Sequence, residues 1–119
     1  AMEREAFGQK LGHFQMTQQK VSDMVCRTQQ ARLLVYQLGR MKDAGRLHHA
    51  QVSMGKWNNV RSAIEIARDA RDMLGANGIS TAYCSIRHML NLETVITYEG
   101  TQTVHELIVG RQLTGHNAF

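Results

Sequence analysis

Between Val21 and Met41, apolar or small side chains return in steps of three and four: Val21, Met24, Val25, Thr28, Ala31, Leu34, Val35, Leu38 and Met41. That period places them on one face and predicts a long amphipathic helix from about residue 9 to about residue 43. Ala44-Gly45 closes it, because glycine enters the left-handed conformation that ends a helix. A second helix is predicted from about Leu47 to Leu74, with Val52, Val60, Ala63, Ile64, Ala67, Ala70 and Leu74 inward. Gly75-Ala76-Asn77-Gly78 breaks that pattern. A third, shorter helix fits Ala82 to about Val95 on Ile86, Met89, Leu90 and Leu92. Thr97-Tyr98-Glu99-Gly100 interrupts it, and a fourth fits Thr103 to Leu113 on Val104, Leu107 and Ile108. Two long helices on a short connection lie antiparallel and two shorter ones complete the layer. The expected fold is all-α, an up-down four-helix bundle with the Met and Leu stripes as its core.

Composition narrows this picture without redirecting it. The 119 residues suit one domain, residues 1–119, and a chain this long is expected to bury roughly two-thirds of its unfolded surface. The complete lack of proline suits long uninterrupted helices. No apolar run reaches the roughly 18 residues of a membrane span, and no secretory signal opens the chain. A first residue of Ala rather than Met reads as a processed or excised start. The net charge of +4 raises the question of nucleic acid, but the basic residues alternate with acids. Arg61 stands four before Glu65 and Arg68 four before Asp72, a helix face that neutralises itself. With few aromatics to stack bases, nucleic-acid binding is not expected. Cys26 and Cys84 stand 58 positions apart with no second Cys near either, which points to a reducing compartment.

Three local features invite chemistry. The adjacent His48 and His49 point about 100° apart on a helix, and no other histidine pair has chelating spacing, so no metal site is expected. Gly75-Ala76-Asn77-Gly78 is either a helix stop or an anion cradle; it lacks the Lys of a phosphate loop and follows a helix rather than a strand. Tyr98-Glu99-Gly100-Thr101 puts a carboxylate at a break between two helices. One reading is a helix entry, with Thr101 as N-cap and Glu99 near a positive helix end. The other is a partly desolvated carboxylate poised as a general base.

Four segments in order carry a family resemblance: Arg4-Glu5-Ala6-Phe7-Gly8, Arg71 to Ser80, Thr97 to Thr101, and Gly110-Arg111 with Leu113-Thr114-Gly115 through Phe119. Together they resemble the C-terminal helical domain of the acyl-CoA dehydrogenases. Asn91-Leu92-Glu93 and His105 make the chain most similar to the glutaryl-CoA dehydrogenase branch. The resemblance implies a domain of a roughly threefold longer enzyme, whose N-terminal helical and middle β domains are not in this sequence. Such enzymes use FAD to oxidise an acyl-CoA thioester between Cα and Cβ, and the glutaryl type goes on to release carbon dioxide.

By the same resemblance, Glu99 is the catalytic base and the Gly100 backbone lies against the thioester carbonyl. Thr101, Arg4, Gln15, the stretch Asp72, Met73, Leu74, Gly75 and Ala76, and Phe119 correspond to FAD contacts, Arg4 across a subunit interface. An electron-transfer flavoprotein as electron acceptor and a homotetramer built as a dimer of dimers are further implications. The family's commonest turn reads G-G-x-G where this chain has Ala76, and many members carry Thr in the place of Ala6. On its own the bundle is expected to be inactive. The competing expectation is a stand-alone helical module whose exposed face binds a partner protein.

Overall fold

The computed structural model describes residues 1–117. Helix α1 (Gln15–Asp43) and helix α2 (His49–Met73) form a long antiparallel hairpin. Its register is visible in the cross-contacts. Lys20 pairs with Asp72, Arg27 with Glu65, and the Asn59 amide donates to the Ala31 carbonyl. A Cβ on Gly55 would come within 2.5 Å of Leu38 Cδ1. Helix α3 (Cys84–Thr97) and helix α4 (Gln102–Thr114) pack on other faces of α2, so α2 is the hub of the four-helix arrangement. No helix among the described residues is long and apolar enough to cross a membrane.

The helix starts are local chemistry. His48 caps α2 by accepting from the Ala50 amide at Nδ1, while Gln51 Oε1 accepts from the His48 amide. That reciprocal box gives the His48 ring a structural task. Helix α1 begins at Gln15, not near residue 9 as the periodicity predicted. The chain before it forms a hairpin of β1 (Glu5–Ala6) and β2 (Gln9–Lys10), then a 3-10 turn over Leu11–His13. The two-residue loop Phe7-Gly8 has φ +53° and +79°, the positive pair that matches strand twist in a hairpin. Phe7 is 97% exposed there, its ring edge-on to Phe14 at 6.3 Å.

The core is thin. Ile64 and Ala67 are buried as expected, whereas Val52 is exposed, and so are Val21, Val25 and Val35 on α1. The accessible surface is 8515 Å², against about 6,500 Å² for a free-standing monomer of this mass. The chain thus buries only about 56% of its unfolded surface, short of the two-thirds expected. The cause is geometric: α1 packs mainly on α2, leaving a 57 Å long body with one flank of α1 bare.

The charged face also differs from expectation. Glu65 turns from Arg61 to Arg27 on α1, and Arg68 pairs with Glu93 on α3 at 2.6 Å. Asp72 accepts from Lys20 at 2.6 Å, while Arg61 lies over the Trp57 ring. Glu65 and Asp72 make their shortest pairs with α1, because the antiparallel register brings those opposite charges closer than the i,i+4 spacing does; Asp72 also lies 3.4 Å from Arg71 of its own helix.

Candidate functional site

The turn between α3 and α4 is built by two left-handed residues in succession, Glu99 at φ +54° and Gly100 at φ +97°. A non-glycine residue there is disfavoured by contact between Cβ and the following carbonyl, and such residues cluster where function demands the geometry. Gly100 is required on steric grounds as well. A Cβ there would sit 2.9 Å from His105 Nε2 and 3.2 Å from Cε1. The Glu99 side chain is exposed and makes no hydrogen bond or ion pair among the described residues. The partial desolvation anticipated for it is therefore not provided within this domain.

Thr101 is the N-cap residue of α4, yet its side chain makes no capping hydrogen bond. The first α4 amides consequently keep unpartnered N–H groups, and the hydroxyl is left for another acceptor or donor. Glu99 and Thr101 both flank that open, electropositive helix end. Beneath the turn, Lys56 of α2 donates to the carbonyls of Tyr98 and Gly100, and its Nζ lies 5.6 Å from the Tyr98 ring centroid. Both ring nitrogens of His105 and the Trp57 Nε1 are buried there without partners among the described residues. Sequence reading missed Lys56, which stands 43 positions from Glu99 with no local motif to mark it.

A second cluster forms at the other end of α2. Arg4 Nη1 donates to the Met73 carbonyl at 3.1 Å, and a Cβ on Gly75 would meet Arg4 Nη2 at 2.9 Å. The carboxyl end of a helix carries partial negative charge, the wrong sign for an anion, and this cation offsets it. One of five guanidinium N–H groups is spent, and the rest of the fork has no partner among the described residues. The left-handed residue of the turn is Gly75 at φ +55°, and Ala76 needs no positive φ, so the methyl group of Ala76 is accommodated without strain. Gly75–Ile79 winds as a 3-10 turn whose Gly78 presses on α2, where a Cβ would fall 1.9 Å from the Arg71 carbonyl oxygen.

Asp72 is engaged with Lys20, whose hydrogen bond holds its carboxyl below the usual range and raises the Lys20 ammonium. Gln15 opens α1 just before Lys20, hence at this same end, and is exposed. Phe119 lies outside the described residues.

The fold thus gathers Arg4, Gln15 and Asp72–Ala76 at one end of α2, and Glu99, Gly100 and Thr101 near the other. It does not bring the two sets together. Lys56 and Met73, which touch one set each, are separated by roughly 26 Å along the helix.

A glutaryl-CoA dehydrogenase of Desulfococcus multivorans is 33% identical over 95% of this chain and 29% of its own length. A crystal structure of glutaryl-CoA dehydrogenase from Mycobacterium smegmatis superposes with TM-score 0.97 at 55% identity, covering 100% of this chain and 31% of that one. A second, from the same organism in complex with FADH2, gives 0.95 at 47% identity over 99% of this chain and 31% of its own. The chain therefore spans under a third of the length of these relatives. Residues 1–114 match the family described as acyl-CoA dehydrogenase, C-terminal domain, and the chain belongs to that family.

Proposed function

We propose that this domain completes a longer FAD-dependent dehydrogenase, with N-terminal helical and middle β domains, that oxidises an acyl-CoA thioester between Cα and Cβ. Glu99 is its general base. The observation that carries this reading is the Tyr98–Thr101 turn. A carboxylate without a hydrogen-bond or ion-pair partner among the described residues is held in a strained left-handed conformation at the open end of α4.

The chemistry needs such a group. The α proton of a thioester is very weakly acidic, so fixed donors must stabilise negative charge as it develops on the carbonyl oxygen. The Gly100 backbone is assigned to that carbonyl, and Glu99 takes the proton at its carboxylate. The residues present fit FAD. The Thr101 hydroxyl makes no capping bond at one end, and at the other the Arg4 fork, with one N–H on the Met73 carbonyl, lies against Gly75, whose missing Cβ makes room for the guanidinium. FAD when bound supplies the acceptor for the β hydrogen. Arg4, Gln15 and the Asp72–Ala76 backbone would hold its pyrophosphate and adenosine portions, and Thr101 its reactive end. The roughly 26 Å between the clusters favours two cofactors per pair of chains, with Arg4 reaching across a subunit interface.

The bare flank of α1, with Leu33, Val35 and Tyr36 exposed, favours a homo-oligomer, a dimer of dimers. Glutaryl-CoA or a similar dicarboxylyl thioester is the assigned substrate, with loss of the distal carboxyl group as carbon dioxide. An electron-transfer flavoprotein is the assigned acceptor, in the bacterial cytoplasm or the mitochondrial matrix. The domain alone is inactive, because the groups that exclude water from Glu99 lie outside it.

The test uses the full-length protein with FAD. Wild type is expected to oxidise glutaryl-CoA with release of carbon dioxide, and Glu99→Gln to keep its flavin and lose turnover. A Glu99→Gln enzyme within tenfold of wild type would remove Glu99 as the base.

A further inference from the structure

The search for groups that the proposed reaction does not absorb leads to the underside of the Glu99 turn. Lys56 projects from α2 about two turns in from its start and is half-buried. Its ammonium donates to the carbonyl before Glu99 and to the carbonyl after it, those of Tyr98 and Gly100. One cation meets both only if the peptide between them curls, and the curl is the left-handed conformation of Glu99 at φ +54°. A conformation that sterics disfavour persists only where the surroundings over-determine it. Here the two hydrogen bonds and two aromatic rings do so. The Tyr98 ring lies 5.6 Å from the same ammonium, and the His105 ring closes on the Cα side of Gly100, where a Cβ would be 2.9 Å away. Lys56 carries two of its three N–H groups into this clamp, and hydrogen bonds from a charged donor are the stronger kind.

We propose that Lys56 is a positioning residue for Glu99, its ammonium bridging the two flanking carbonyls so that the carboxylate is presented at the open end of α4. This rests on the reading of Glu99 as base, and the role is indirect: Lys56 touches neither substrate nor cofactor. Removing the bridge lets the turn relax toward ordinary backbone angles and shifts the carboxylate. Misplacement by about 1 Å lowers a rate on the order of 100-fold.

The experiment compares Lys56→Met and Lys56→Arg with wild type in the full-length flavin-loaded enzyme. Rates are expressed per bound flavin, with glutaryl-CoA and its α-deuterated form. Lys56→Met is expected to lower kcat on the order of 100-fold with KM within about threefold, and to keep or enlarge the deuterium isotope effect. Lys56→Arg, whose fork also reaches two acceptors, is expected to recover most of kcat. A merely structural role would lower the fraction of flavin-loaded protein and leave kcat per flavin unchanged. That result overturns the proposal.

Amide hydrogen exchange of Glu99 to Gln102 is read on the same samples, and it does not depend on the identity of the base. Faster exchange confined to this turn in Lys56→Met supports the clamp, and exchange at the wild-type rate overturns it. Failure of the base reading is recognised separately, by turnover surviving in Glu99→Gln. If Lys56→Met does not accumulate as flavin-loaded enzyme, Lys56→Gln replaces it, with kcat per flavin expected below that of the Arg variant and the same wild-type values counting against the proposal.

Discussion

Gly78→Ala and Ala76→Gly exchange one methyl group in opposite directions, two residues apart in the same turn, and should differ sharply in effect. A Cβ at position 78 would stand 1.9 Å from the Arg71 carbonyl oxygen, 2.8 Å from its carbon and 3.2 Å from its Cα. All three are backbone atoms of the last turn of α2, so no flexible side chain can move aside. Restoring an ordinary contact requires the 3-10 turn to withdraw from α2 by more than 1 Å, in one of the few places where this domain buries anything. Overpacking of this kind typically costs up to about 3 kcal/mol.

Ala76, by contrast, is exposed and free of positive φ, so its change to glycine costs only backbone entropy, about 0.5–1 kcal/mol. For a chain of this length the first change corresponds to a fall in Tm of about 10 °C and the second to a few degrees. The assay is thermal and urea denaturation of each variant, with flavin content of the full-length form as a second readout. Gly78→Ala is expected to lose both stability and flavin, because Gly75 and Arg4 ride on the same turn. A Gly78→Ala protein within 0.5 kcal/mol of wild type, on the order of ordinary surface changes, would refute the close approach.

Other perturbations follow from the same geometry. Gly100→Ala requires an L-residue at φ +97° with its Cβ against the His105 ring, and should lower kcat on the order of 100-fold while the helices stay intact by circular dichroism; a change under threefold would contradict the steric role. The Lys20–Asp72 pair makes a pH-dependent contribution with two edges. Because the folded Asp72 carboxyl is held low, its stabilisation is present above the unfolded carboxylate pKa of about 3.9 and is lost as pH falls through the folded value. Because the folded Lys20 ammonium is raised, its share is present below about 10.5 and is lost as pH rises through the folded value. Lys20→Met is therefore expected to lower the denaturation midpoint near neutrality, in a salt-sensitive way, and to converge on wild type in acid; equal curves at pH 7 would remove the pair.

The helices were legible because period and punctuation agree: Ile64 and Ala67 recur at helical spacing and are buried, and the break at Gly75 falls where α2 ends. The hairpin before α1 was not, because strands of two residues carry no period and Phe7 takes a positive φ that no propensity assigns to a bulky residue. The exposure of Val21, Val25 and Val35 was equally hidden. An apolar stripe states that a face is covered, not by which chain. Tyr98 to Thr101 stood out as a carboxylate at a helix break, yet the means of holding it did not, because Lys56 meets that turn only through the packing of α3 on α2.

Rapid mixing of the full-length oxidised enzyme with glutaryl-CoA without oxygen isolates the reductive half-reaction, removal of the α proton together with transfer of the β hydrogen, from reoxidation of the flavin. Wild type is expected to bleach the flavin absorbance within seconds, and Glu99→Gln, with its flavin fully bound, to bleach at least 1,000-fold more slowly, on the order of the loss expected for a general base. Bleaching of Glu99→Gln at a rate close to wild type would show that another group takes the α proton.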